Sequence, residues 1–295
     1  MNDTGWLETY RGTVFRWEVD SNDHLTVAYY FARLGDATRA VLHRLGLGAG
    51  YTERTQRGCA IAECFVRYVK ELRVGDIMHV TSGVIAVEND ALVLGHKLFN
   101  SETGELCTTF EQRLVHLGSD GKAVSFTAEH RRAAESRRIT WDAPARERRP
   151  RPATLDGFGD SARDTVKPGE MDAFGRLDLH AYIHRFSAAN AHALAAFGLS
   201  PGYMREGNRG FSTFEFQCAF TGSLAAGDPV VVRTGLVHVG NSSMRQLHVM
   251  TNERTGEEVA SLEQAGVHLD LAARRPAPLP DALRQRAQAI VVRTS

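Results

Sequence analysis

Four cysteines are few for a chain of 295 residues, and Cys59, Cys64, Cys107 and Cys218 show neither a CxxC spacing nor clustering with histidine. A disulfide framework and a structural metal are therefore not expected, and the thiols read as buried or incidental groups in a reducing compartment. No stretch approaches the roughly 20 apolar residues of a membrane span. The opening Met1-Asn2-Asp3-Thr4-Gly5 has neither basic residues nor an apolar run, so a signal peptide is not expected and the cytoplasm is the predicted location. Charge of neither sign is in excess, with 35 basic and 35 acidic residues, which gives no global reason to expect nucleic acid or a membrane surface as partner. A glycine-rich phosphate loop is also missing.

What the chain does contain is itself, twice. Shifted by 152 residues, positions 18–117 fall on 170–269 without a gap, and about thirty of the paired positions are identical. Gly75-Asp76 meets Gly227-Asp228, Thr103-Gly104-Glu105 meets Thr255-Gly256-Glu257, and Val115-His116-Leu117 meets Val267-His268-Leu269. A period this long is too great for a solenoid repeat and means two copies of a whole domain. Any site then has two equivalents, or one survivor and one relic.

Each copy reads as a helix followed by antiparallel strands. Val27, Tyr30, Phe31, Leu34, Val41, Leu42 and Leu45 recur at helical spacing, closed by Gly46 and Gly48; the second copy repeats this from Leu179 to Phe197. Its crowding with alanine predicts a buried helix. Strands are predicted at Ala60–Val69, Met78–Val87, Ala91–Phe99 and Leu106–Leu117, with a leading strand at Thr13–Val19. The short turns between them favour antiparallel hairpins, hence an α+β layer arrangement. The predicted division is residues 1–127, a connector over 128–160, and residues 161–295. Within the connector, residues 131–151 hold eight arginines and three acids. This stretch is either a contact for phosphates or a solvated crossover.

The best candidates for chemistry lie just before each helix. Asp20 and His24 sit in a loop that runs into the first helix, with Asp172 at the equivalent place in the second copy. A helix start offers unpaired backbone N–H groups and the positive end of a dipole, which can hold a developing oxyanion. A carboxylate beside them can attack a carbonyl or activate water. Acid-His-Thr before a helix is equally ordinary capping chemistry.

The stretch Glu18-Val-Asp-Ser-Asn-Asp-His-Leu-Thr-Val-Ala-Tyr-Tyr, with Gly35-Asp36-Ala37-Thr38 and Leu45-Gly46-Leu47-Gly48, resembles the opening of hot-dog-fold acyl-CoA thioesterases. Within these it is similar to the betainyl-CoA thioesterase group, which reads roughly W-V-D-Y-N-G-H-M-N-x-A-Y-Y there. Tyr68, Leu72, Gly75-Asp76 and Glu111-Gln112 fit as well, and the likeness covers nearly all of both copies. It implies a tandem double hot-dog, each half a sheet wrapped around a central helix, with an active site at each seam. It further implies hydrolysis of an acyl thioester on coenzyme A or an acyl carrier, no cofactor beyond the coenzyme A of the substrate, and a homo-oligomer of double units. The family's loop Asp maps onto Asp20 and Asp172, and the oxyanion amides onto Val27 and Ala28.

The two copies depart from that pattern differently. The family's Gly-His-Met-Asn becomes Asp23-His24-Leu25-Thr26 in the first and Gly175-Arg176-Leu177-Asp178 in the second. Thr26 and Asp178 read as helix N-caps. Because Arg176 replaces the histidine and Asp178 brings a negative charge to the amides, the pocket of Asp20 and His24 is expected to be the working one. Glu63 and Glu215 coincide on equivalent strands and are either an acid or base with raised pKa, or outward-facing strand residues. His96 and His248 coincide and read as structural. Glu111-Gln112 and His116, with Glu263-Gln264 and His268, are expected to hold the fold together. Trp17, Tyr29, Tyr30 and Phe31 either line an acyl pocket or belong to the core. A hydratase or dehydratase is a lower alternative, since the Asp-x-Asn-Pro-x-His stretch is absent; a non-catalytic acyl-binding protein is another.

Overall fold

A computed structural model describes residues 5–20, 23–172 and 174–292. The chain divides into two compact units, Met1–Ala145 and Arg146–Ser295.

In the first unit, β1 (Leu7–Thr13) is followed by the long helix α1 (Val27–Arg44), the short α2 (Ala49–Thr55), and β2 (Gly58–Tyr68), β3 (Ile77–Val87), β4 (Ala91–Asn100) and β5 (Leu106–Leu117), then α3 (Ala128–Glu135). The strands pair antiparallel in the order β1-β3-β4-β5-β2. The sheet covers α1, whose buried side carries Tyr30, Phe31, Leu34, Val41 and Leu42 at the three-and-four spacing that brings them to one face. Phe31 meets Phe110 of β5 edge-on at 6.2 Å.

The second unit repeats this with β6 (Gly159–Thr165), α4 (Leu179–Ala196), α5 (Pro201–Gly207), β7 (Arg209–Phe220), β8 (Pro229–Val239), β9 (Ser243–Asn252), β10 (Glu258–Asp270), the short β11 (Arg275–Pro276) and α6 (Asp281–Ala289). Its order is β7-β10-β9-β8-β6, with β11 on β10. The helix-and-antiparallel-sheet layering is the α+β arrangement expected. Among the described residues no helix is long and apolar enough to cross a membrane.

Several of the coincident residues now have a physical reason. Gly75 and Gly227 take φ of 90° and 94°, where a side chain is strained. The aspartate after each closes the same turn, Asp76 accepting from the Arg73 amide at 2.8 Å and Asp228 from the Ala225 amide at 2.9 Å. Buried His96 and His248 end matching hydroxyl chains. Thr9 and Ser82 Oγ lie 2.6 Å apart and Ser82 lies 2.7 Å from His96 Nδ1; Ser161, Thr234 and His248 repeat this at 2.6 and 2.7 Å. Burial pulls these imidazoles down to about 3 and about 4, so both are neutral. Gln112 accepts from Thr38 at 2.7 Å, tying the sheet to α1. The two histidines that end β5 and β10 bond to the short helices, Tyr51 to His116 at 2.9 Å and Tyr203 to His268 at 3.1 Å.

Two expectations need correction. The leading strand is Leu7–Thr13, not Thr13–Val19; residues 16–18 form a 3₁₀ turn. The turn is favoured because the Glu18 carboxylate accepts the Phe15 amide at 3.0 Å and pairs with Arg33, bending the chain back toward α1. Helix α4 is not buried all round either. It buries Leu179, Tyr182, Ile183, Phe186 and Leu194, while Ala188, Ala191, Ala195 and Ala196 are exposed. Alanine there serves helix propensity rather than close packing.

The stretch read as an arginine-rich connector is not uniform. Residues 128–135 form α3, and the backbone of Arg137 and Ile139 bonds to Val84 of β3. Further on, Arg146 donates to Gln217, Arg149 pairs with Glu215 and Glu263, and Arg151 pairs with Glu258.

Candidate active site

The loop before α1 is built by backbone bonds that close on themselves. The Asp20 amide donates to the His24 carbonyl at 2.8 Å and the Asp23 amide to the Asp20 carbonyl at 3.1 Å. The loop is anchored outward through Leu25 N–H to Leu72 O at 2.8 Å and Thr26 N–H to Glu18 O at 2.9 Å. Glu18 is buried and pairs with Arg33 of α1, which lies over the Tyr10 ring. The loop is thereby fastened both to the helix it feeds and to the β2–β3 connection.

The second copy keeps this frame. Asp172 N–H to Arg176 O is 2.7 Å, Gly175 N–H to Asp172 O is 3.1 Å, and Asp178 N–H to Glu170 O is 2.9 Å. Glu170 pairs with buried Arg185 at 2.7 Å. Asp23 holds φ of 60° where Gly175 holds 71°. Aspartate tolerates this left-handed conformation better than most residues, and its pairing with Arg16 helps to fix it. Asp23 therefore takes the backbone conformation of the family glycine it replaces.

Asp20 is exposed, and its Oδ1 accepts from the His24 amide at 3.1 Å. Ser21 and Asn22 lie outside the described residues. In the second copy Asp172 Oδ1 accepts from the Phe174 amide at 2.8 Å and the Arg176 amide at 2.9 Å, and the Arg176 guanidinium is 3.4 Å from Oδ2. The side chains after the aspartates also part company. His24 Nε2 lies 2.9 Å from Glu71, which also pairs with Arg73. The second copy has Arg176 and Ser223 at those two positions.

At the head of α1, no acceptor among the described residues takes the amide hydrogens of Val27 or Ala28, the first two positions that an α-helix cannot satisfy internally. Ala28 is buried and Val27 half-buried. Thr26 and Asp178 hold the N-cap positions expected of them, but without a side-chain capping bond. The third helical amide, the usual target, is already turned to the N-cap carbonyl: Tyr29 to Thr26 and Ala181 to Asp178, both at 3.0 Å. Thr26 Oγ1 is consequently buried with no hydrogen-bond partner among the described residues. In the second copy His180 stands where the first has Ala28.

Two sequence matches place this architecture. The profile of the thioesterase-like superfamily matches residues 14–140 and again 166–287. The chain belongs to the thioesterase-like superfamily. Both units are copies of that family's domain, and the enzyme class expected, thioester hydrolase, is the family's. The chain is similar to a betainyl-CoA thioesterase of Pseudomonas aeruginosa, 27% identical over 42% of this chain and 78% of the relative. It is also similar to an L-carnitine dehydrogenase/betainyl-CoA thioesterase of Agrobacterium fabrum, 33% identical over 34% of this chain but only 20% of that longer protein. In fold it is similar to an acyl-ACP thioesterase from Bacteroides thetaiotaomicron, with a TM-score of 0.70 over 90% of this chain and all of the other, at 12% identity. The tandem double hot-dog is the fold.

In this thioesterase-family chain each remaining predicted residue has local partners of its own. Glu63 is half-buried on β2 opposite Arg113 of β5. Glu215 is buried, 2.8 Å from the Arg149 guanidinium, and accepts from Gln217 at 3.1 Å. Tyr29 is half-buried, Tyr30 and Phe31 belong to the core, and Trp17 is 70% exposed and stacked on Phe15. The residues that sequence reasoning passed over are Arg33 and Arg185, the partners of Glu18 and Glu170, and Glu71. Both arginines coincide at the 152-residue shift; Glu71 is marked by changing to Ser223 where His24 changes to Arg176.

Proposed function

We propose that this protein is an acyl-CoA thioesterase that works on small or medium acyl groups, with its chemistry at the head of α1. Asp20 supplies the carboxylate that attacks the thioester carbonyl or activates the water that does. The Val27 and Ala28 amides receive the oxyanion, and His24, backed by Glu71, shapes the loop and assists proton transfer. The carbon–sulfur bond breaks, coenzyme A leaves as the free thiol, and the acyl group departs as a carboxylic acid whose new oxygen comes from water, either directly or by hydrolysis of the acyl-aspartyl anhydride, which restores Asp20. No metal or redox group takes part in this reaction scheme.

The observation that carries the proposal is the pair of amides at the start of α1 that no described residue claims, beside a buried Thr26 hydroxyl without a partner among the described residues, next to the Asp20 loop. Preorganised donors of this kind contribute about 10²–10³ in rate when a charge develops on them. The second loop fits a structural role in the same proposal. Asp172 is paired with Arg176, Asp178 places negative charge near the Leu179 and His180 amides, and Ser223 stands at the position of Glu71, the partner of His24. Glu63 and Glu215 belong to the sheets in this reading, and a homo-oligomer of double units is part of it.

The test is thiol release from a panel of acyl-CoA esters, including betainyl-CoA and short straight-chain esters. The expected result is turnover of at least one ester, lost in Asp20→Asn. Saturable binding of the esters without thiol release would replace this reading with that of an acyl-binding protein.

A further inference from the structure

The second unit holds a cavity that the loop chemistry does not use. It has a volume of about 700 Å³ and lies where α5, the start of β7, the end of β10 and the segment 275–280 meet. Leu279 of that segment packs with Leu194 and Phe197 at the C-terminal end of α4. An 18-residue helix is about 27 Å long, so this cavity and the Asp172 loop lie at opposite ends of α4.

Tyr203, Arg209 and His268 of its lining recur in the first unit as Tyr51, Arg57 and His116, but the prolines do not. Residues 276, 278 and 280 are all proline, alternating along an extended segment, and all three line the cavity. The matching residues of the first unit are Ala123, Ser125 and Thr127. The match is fixed by equivalent bonds, Phe126 N–H to Asn89 O at 3.0 Å and Leu279 N–H to Asn241 O at 2.9 Å. In the first unit Phe126 stacks on His116 at 4.7 Å and His130 packs edge-on against Tyr51 at 5.1 Å. Leu279 and Leu283 stand in their places in the second unit.

The polar groups present both kinds of hydrogen-bonding partner. His268, 1% exposed, directs Nδ1 at the Ala277 carbonyl, 3.0 Å away, which assigns the hydrogen to that nitrogen. Nε2 then accepts from the Tyr203 hydroxyl, and the phenolic oxygen is left with lone pairs to accept from a ligand. Arg209 pairs with Asp270, a residue that is Gly118 in the first unit. Arg275 makes no ion pair among the described residues and adds an uncompensated positive charge at the rim. A guanidinium is suited to a phosphate, a carboxylate to hydroxyl or amino groups, and a proline and tyrosine wall to a flat ring.

We propose that this cavity is a second ligand site, for an adenosine phosphate: Arg275 with Arg209 takes the phosphates, Tyr203 and Asp270 accept from the nucleoside, and the prolines pack its ring. The shared chemistry has two sources, the nucleotide end of coenzyme A and free adenine nucleotides. The site does not depend on the proposed hydrolysis.

The experiment is calorimetric titration of the full chain with ADP, with coenzyme A and with inorganic phosphate. ADP should bind saturably, more tightly than phosphate, and weaken about tenfold in Arg275→Gln, the loss of one charge-assisted contact. Tyr203→Phe should weaken it as well while leaving the fold unchanged by circular dichroism. If coenzyme A is the source, it competes with ADP, and Arg275→Gln raises KM for an acyl-CoA but not for the matching acyl-pantetheine. If free nucleotide is the source, ADP still binds but coenzyme A does not displace it. No saturable ADP binding, or ADP binding equal in wild type, Arg275→Gln and Tyr203→Phe, overturns the proposal whether or not the protein hydrolyses thioesters.

Discussion

The guanidinium of Arg33 in α1 reaches the buried carboxylate of Glu18, and Arg185 makes the same reach to Glu170 in the second unit. In both copies the glutamate also accepts the amide that opens its 3₁₀ turn and, through its carbonyl, the N-cap amide of the long helix. One ion pair thus fixes the angle at which the aspartate loop enters the helix. Because both copies keep it while their loop chemistry differs, the pair belongs to the scaffold.

Removing one partner leaves the other charge buried and alone. Arg33→Met is expected to destabilise the first unit by about 3–5 kcal/mol. The double substitution Arg33→Met with Glu18→Leu should recover part of that loss. Urea unfolding of the single and double variants measures both, followed with a probe in each unit because two units need not unfold together.

Stability should fall on mild acidification. His96 and His248 are neutral in the folded protein, with values lowered by burial to about 3 and about 4. The unfolded chain takes up protons below about 6.5, so it binds more protons than the folded one between there and the folded values. The histidine contribution is complete above that range and is lost as pH drops through it, with a slope of at most about 1.4 kcal/mol per pH unit for each. Unfolding midpoints at pH 7, 6 and 5 should decline, and less steeply in His96→Gln.

The thiols should be inert until the chain unfolds. All four cysteines are buried, and burial pushes the Cys107 and Cys218 thiols up, away from the reactive thiolate. A chromogenic disulfide reagent should find four reactive groups in denaturant and almost none without it.

The duplication was legible because identical residues at a fixed spacing need no structural knowledge, and it also located both long helices through their apolar period. The entry to each helix was not legible. Residues 13–19 alternate like a strand, yet Glu18 has a partner fifteen residues ahead that bends them into a turn. Thr26 and Asp178 were legible as N-caps but their missing capping bonds were not, because the first turn of each helix tightens onto the cap carbonyl and withdraws the amide a cap would use. The alanines of α4 look like packing residues because sequence cannot separate small from buried. The cavity beside His268 was out of reach, since its prolines, arginines and tyrosine meet only when α5, β10 and the 275–280 segment fold together.

The central claim is that the first loop is a reaction centre and the second a scaffold. It is tested most directly by kcat/KM for one acyl-CoA ester in Asp20→Asn and in Asp172→Asn, with stability checked in each. The account predicts a loss of about 10²–10⁴ from the first substitution, the range of a carboxylate acting on the reacting atoms, and less than about threefold from the second, a structural effect on a loop whose other bonds persist. Equal losses, or undiminished turnover in Asp20→Asn, would contradict it.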